Sequence, residues 1–223
     1  MPTVSINMSL VDGYMTCAGA VGPWDTYRNA IVADSLNNAN FLCRAGYYSN
    51  LNWYCDRQAF VFDTLHGGIP PGSTISSCNL MLYVTSAYWD INNPCHFQFE
   101  HDPLGVFPHN PVVVGDYDRT HYSGNGGGLT LGLGVVTLNA YNPLTLDPSW
   151  INLLGDTKFM MMEVEHDIND TDPFSDTPSY WNGIWGDGPT VTNPPKIEIT
   201  YTTGSGATPV VANSINLLSM GLL

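Results

Sequence analysis

The stretch FVFDTLHGGIPPGSTISSCNLMLYV, residues 60–84, reads as strand, turn, strand. Phe60 and Phe62 fall on one face and Val61 and Asp63 on the other, because successive strand side chains alternate. The segment GGIPPGST supplies two prolines that fix φ and glycines that accept positive φ, which is the chemistry of a turn. Leu80, Leu82 and Val84 then share a face opposite Asn79, Met81, Tyr83 and Thr85. Two alternating runs joined this way predict an antiparallel all-β domain. Asp63 and His66, at a strand end and in the turn, read as structural.

The same alternation extends outward. In CHFQFEH (95–101) Phe97 and Phe99 point inward and His96, Gln98 and Glu100 outward. In PPKIEITYT (194–202) Ile197, Ile199 and Tyr201 oppose Lys196, Glu198 and Thr200. TKFMMMEVEHD (157–167) is nearly continuous in apolar residues, as expected of a strand buried on both faces. GVVTLNA (134–140) reads as a further strand. Earlier in the chain, short strands are expected near 3–8, 11–17 and 40–48, with Asp25 to Asn40 either helical or a long loop. The reading is one antiparallel β-sandwich of jelly-roll type spanning 58–203. Residues 1–57 form an N-terminal extension packed on or part of it, and 204–223 a linker with an apolar C-terminal arm.

Composition narrows the partners. The chain of 223 residues has 20 Asp and Glu against 6 Lys and Arg, a net charge of -14. Phosphate backbones and anionic bilayers need basic patches that so few cations cannot build, so no nucleic-acid partner is expected. No run approaches the roughly 20 apolar residues of a membrane span, and the N-terminus MPTVSINMSLVDGYMTC lacks the basic and apolar regions of a secretory signal. The five cysteines, odd in number and without CxxC spacing, argue against zinc ribbons. Buried thiols are expected, with one or two disulfides as the alternative.

Candidate chemistry is sparse. The Gly-rich SGNGGGLTLGLG (123–134) reads as a solvent loop, and no nucleotide or hydrolase motif is present. Glu163 and Glu165 lie two apart on one predicted strand, about 7 Å apart on one face, and read as solvated beside Lys158. In the loop HDINDTDPFSD (166–176), Asp167, Asp170 and Asp172 offer hard oxygens to Ca²⁺, with a solvated acidic loop as the alternative. No other cofactor is expected. SYWNGIWGDG (179–188) presents Tyr180, Trp181 and Trp185, rings that stack on sugars or serve packing and subunit contact. The arm residues Val210, Val211, Ile215, Leu217, Leu218, Met220 and Leu222 are candidates for subunit contact, or for docking on their own domain.

The residues Phe60, Phe62, Asp63, Ile69, Pro70, Gly72, Thr74, Ile75, Ser77, Leu80, Leu82 and Tyr83 resemble the DNRLRE-type β-sandwich modules, also described as a carbohydrate-binding-module family. VVVGDYDRTHYSG (112–124), TLNA (137–140), LLGDTKFMMMEVEHDIND (153–170) and PKIEITYT (195–202) follow in the same order. The chain is similar to the uncharacterised environmental and phage-associated branch. That resemblance, with the charge and the apolar arm, leads to an expected non-enzymatic virion structural protein. It would be a decoration, fibre or capsid-associated subunit, partnered by itself or by capsid and tail proteins. The alternatives are a glycan-binding module of a cell-surface or secreted protein, and an extracellular filament subunit exchanging its arm.

Overall fold

A computed structural model describes residues 1–10, 13–19, 23–48, 52–88, 95–131, 136–173 and 180–204. The strands are β1 (Thr3–Asn7), β2 (Tyr14–Gly19), β3 (Ser35–Asn37), β4 (Asn40–Tyr48), β5 (Asn52–Phe62), β6 (Thr74–Tyr88), β7 (Cys95–Glu100), β8 (Gly128–Leu131), β9 (Ala140–Leu146), β10 (Thr157–Glu163), β11 (Tyr180–Asp187) and β12 (Lys196–Thr202). One short helix, α1 (Trp24–Arg28), lies between β2 and β3. All pairings are antiparallel, in the order β1-β12-β6-β11-β4-β5-β10-β7-β8, with β2 also on β5, β3 on β2 and β9 on β6. The fold is an all-β sandwich that does not close into a barrel.

Two long strands turn this single network into layers. Gln58 of β5 is in register with Tyr14 of β2 on one side and Met161 of β10 on the other, whereas Asp56 sits between Thr16 of β2 and Arg44 of β4. The edge of β5 therefore passes from β4 to β10 part-way along. Cys78 of β6 likewise faces Leu146 of β9 and Ile199 of β12, before β6 passes to β11 at Val84. Strands that change partner in mid-course are how sheets make corners.

Alternation decides which side chains fill the space. Phe60, Phe62, Leu80, Leu82, Val84, Phe97, Phe99, Phe159, Met161, Ile184, Ile197 and Ile199 form the main core. Phe159 is its hub, with ring centroids 5.2 Å from Phe60, 5.9 Å from Phe62 and 5.3 Å from Phe99. The opposite faces of β5 and β10 are buried as well: Ala59, Val61, Met160 and Met162 pack with Trp24 and Tyr27 of α1 and with Val112, Tyr117 and Tyr122. The run of 157–163 is thus apolar on both sides because both sides are covered. The first 57 residues contribute β1 to β12, and β2 and β4 to β5.

Three expectations change. The segment from Asp25 to Asn40 is neither a long helix nor a plain loop, since α1 ends at Arg28 and β3 follows at Ser35. The strand expected over 134–140 is displaced to Ala140–Leu146, with a turn at Leu138 and Asn139 before it. Pro143 lies inside β9; it is tolerated there because β9 takes β6 as its one strand partner among the described residues. Finally, the strand expected to run to 167 stops at Glu163, where the chain enters a π-helical turn, Val164–Ile168.

Candidate functional site

On the outward faces of β4 and β11, Trp185 is in register with Leu42 and Gly183 with Arg44. The register of β11 against β6 slips between Trp185 and Gly186. Only glycine fits at 186, because a Cβ there would lie 1.9 Å from the Tyr83 carbonyl oxygen. Trp185, half-buried, lines a groove of about 400 Å³ with Tyr14, Asn40, Leu42 and Arg44. The Arg44 guanidinium lies 3.9 Å from the centre of the Tyr54 ring and is ion-paired with Asp56, whose side chain is 0 % exposed. Asp56 Oδ1 is buried with no hydrogen-bond partner. Burial raises the Asp56 carboxyl above its ordinary range against the pull of Arg44, and burial together with Asp56 raises the Tyr14 phenol. A flat ring, amide and guanidinium donors and a recessed carboxylate are what a polyhydroxylated ligand needs to be stacked upon and oriented.

Of the three aromatics singled out from the sequence, the structure brings Trp185 to this groove. Tyr180 and Trp181 pair through the backbone with Tyr47 and Gly46, and their side chains lie outside the described residues. Tyr14, Asn40, Arg44 and Asp56 carry no local signal in the sequence; strand pairing alone assembles them.

A second polar cluster lies on the α1 side of β5. Arg57, fully buried, donates from Nε to Asp167 Oδ2 (2.8 Å) and from Nη2 to Asp167 Oδ1 (2.6 Å). It also donates to the carbonyls of Tyr117 and Arg28 and lies 4.1 Å from the centre of the Tyr117 ring. Burial opposes the Arg57 charge, but Asp167, Tyr117 and Cys55 outweigh it and hold its pKa well above the ordinary value. The Tyr117 hydroxyl lies 3.0 Å from both the Tyr27 and Cys55 carbonyls, which share its single proton.

This geometry redistributes the residues considered for Ca²⁺. Asp167 is 1 % exposed, and both its oxygens face Arg57 rather than a loop cation. Asp170 is paired with Arg28 at 2.9 Å and lines a pocket of about 160 Å³ with Asp172, Asp25, Trp24 and Pro23. The three aspartates are not gathered around one point. Among the described residues, the one group of three or more with metal-ligand spacing is Glu163, Glu165 and His166, whose ligand atoms lie within 4.8 Å of one another.

Glu163 also departs from the sequence reading. It is fully buried rather than solvated, and Lys158 donates to the Val106 carbonyl instead (3.1 Å). The Glu163 carboxylate caps the π-helical turn, accepting from the backbone N–H of His166 (2.6 Å) and Asp167 (3.4 Å), and from Asn182 Nδ2 (3.1 Å). Burial raises its carboxyl pKa even though His166 and these donors pull it down. The turn itself is held by Trp24 Nε1 on the His166 carbonyl (3.3 Å) and Arg28 Nε on the Asp167 carbonyl (2.7 Å).

Cys17, Cys43, Cys55 and Cys78 are buried and carry thiols, not disulfides. The candidate contact residues Val210, Val211, Ile215, Leu217, Leu218, Met220 and Leu222 lie outside the described residues. No helix among the described residues is long and apolar enough to cross a membrane. No protein-family model matches the chain, and neither does any curated protein.

Proposed function

We propose that this protein is a non-enzymatic structural subunit of a virus particle, assembled with copies of itself or with capsid and tail proteins. The observation that carries the reading is an exposed aliphatic patch. Ile31, Val32, Val113 and Val114 are 67 %, 50 %, 43 % and 38 % exposed. The backbone hydrogen bond from Ala33 to Val114 (3.0 Å) holds their two loops side by side. β-Branched residues grouped on the surface of so acidic a protein favour contact with another protein. Charge supports the same partner class. Each of the chain's six Lys and Arg residues is engaged internally: Arg28 with Asp170, Arg44 with Asp56, Arg57 with Asp167, Lys196 with Glu198, and Arg119 and Lys158 with backbone carbonyls. The remaining acidic surface repels polyanions.

The test is sedimentation velocity over a concentration series, comparing the full chain with Ile31→Asp/Val114→Asp. Concentration-dependent association that the double variant weakens is expected. A chain that stays monomeric throughout, with the variant indistinguishable from it, overturns the proposal.

A second reading, a glycan-binding module, is favoured by the Trp185 groove. It predicts saccharide binding on a glycan array that Trp185→Ala and Tyr14→Ala each abolish. Equal binding by both variants refutes it.

A further inference from the structure

We propose that Glu163, Glu165 and His166 form a binding site for a divalent transition-metal cation, with Zn²⁺ the best match. Glu163 ends β10, and Glu165 and His166 lie in the π-helical turn that follows, so the abrupt change from strand to tight turn gathers three donors. Their ligand atoms lie within 4.8 Å of one another, with Glu163 and His166 buried and Glu165 half-buried. Ligands of one tetrahedral Zn²⁺ sit about 3.4 Å apart for bonds of about 2.1 Å, so modest side-chain adjustment closes the set.

Two further features point to a cation. His166 Nδ1 lies 2.8 Å from the Thr171 carbonyl, which can only accept, so Nδ1 is the donor and Nε2 is the ring's candidate ligand atom. Metal-ligating histidines are oriented by such a bond from the other ring nitrogen. Asn182 is fully buried and donates from Nδ2 to Glu163, yet its Oδ1 is buried with no hydrogen-bond partner. The side chain that reaches Glu163 therefore carries a buried, unsatisfied hard oxygen. Ligand type selects the ion: imidazole with carboxylates suits Zn²⁺, whereas Ca²⁺ takes six to eight oxygens. A bound ion would tie the end of β10 and its π-turn to β11 through Asn182.

The test uses the full chain stripped with EDTA and titrated with ZnCl₂ by calorimetry, with Co²⁺ absorption reporting coordination geometry. One Zn²⁺ per chain, a tetrahedral Co²⁺ spectrum and a higher thermal midpoint with Zn²⁺ are expected. Glu165→Gln, at a half-buried position that does not cap the turn, should keep the fold and weaken Zn²⁺ binding at least 10-fold. His166→Gln should weaken it similarly and remove the Co²⁺ band. Substoichiometric binding, preference for CaCl₂ over ZnCl₂, or binding that survives both substitutions overturns the proposal.

Discussion

Asp167→Asn tests the buried ion pair that joins β5 to the π-helical turn. The substitution keeps the side-chain volume and one acceptor oxygen but removes the charge facing Arg57. Arg57 keeps its bonds to the Tyr117 and Arg28 carbonyls but loses its compensating charge, and the new amide turns an N–H donor toward one of its nitrogens. Breaking one side of such a pair costs about 3–5 kcal/mol, a large fraction of the roughly 5–15 kcal/mol that stabilises a typical domain. Arg57→Met should cost more, because it also strands two buried carbonyls at about 1–3 kcal/mol each. In Arg57→Met/Asp167→Leu neither charge remains and only the carbonyl loss persists, so the double variant should be more stable than Arg57→Met alone. Urea unfolding at pH 7, followed by circular dichroism and tryptophan fluorescence and extrapolated linearly, gives the three values. A loss below about 1 kcal/mol for Asp167→Asn, or a double variant no more stable than Arg57→Met, would refute a desolvated pair bridging the two elements.

Other outcomes follow from the packing and the titrating groups. Phe159→Ala should lose about 3–5 kcal/mol in the same assay, because its ring contacts Phe60, Phe62 and Phe99 at the centre of the core. Burial, then the charge of Asp167, raises the Glu100 carboxyl above its ordinary value of 4.5. The folded state therefore binds more protons than the unfolded state, and this group's contribution to stability falls as pH rises from 4.5 through the raised pKa. Glu100→Gln should flatten that part of the stability–pH curve, measured by urea midpoints. Burial pushes the Cys17 thiol up to about 11 and that of Cys78 up to about 12, and holds Cys55 well above its ordinary value. These thiols should resist alkylation at pH 8 in the native protein and react on unfolding, as mapped by peptide mass spectrometry.

The two-residue period of Phe60–Phe62, Leu80–Val84 and Ile197–Tyr201 is a local property of the chain, and it reported strands and their buried faces directly. The apolar run of 157–163 likewise announced a strand covered on both sides. The place of Pro143 in β9 depends on an edge position, which is a property of the sheet. Glu163 resembled a solvated carboxylate for a similar reason: its donors are the backbone of the next turn and Asn182 of β11, supplied only when the chain folds. Asp167 looked like one of three loop ligands until β5 brought Arg57 against it.

The sequence by itself determined an antiparallel, acidic sandwich, because alternation, turn residues and net charge depend on near neighbours or on a sum. Tertiary structure alone decided which residues meet. Trp185 joins Tyr14, Asn40 and Arg44 in a groove, and Glu163 and His166 come beside Asn182, through strand pairings between distant segments. Such contacts follow from how β5 and β6 change partners, and no short window of sequence records that.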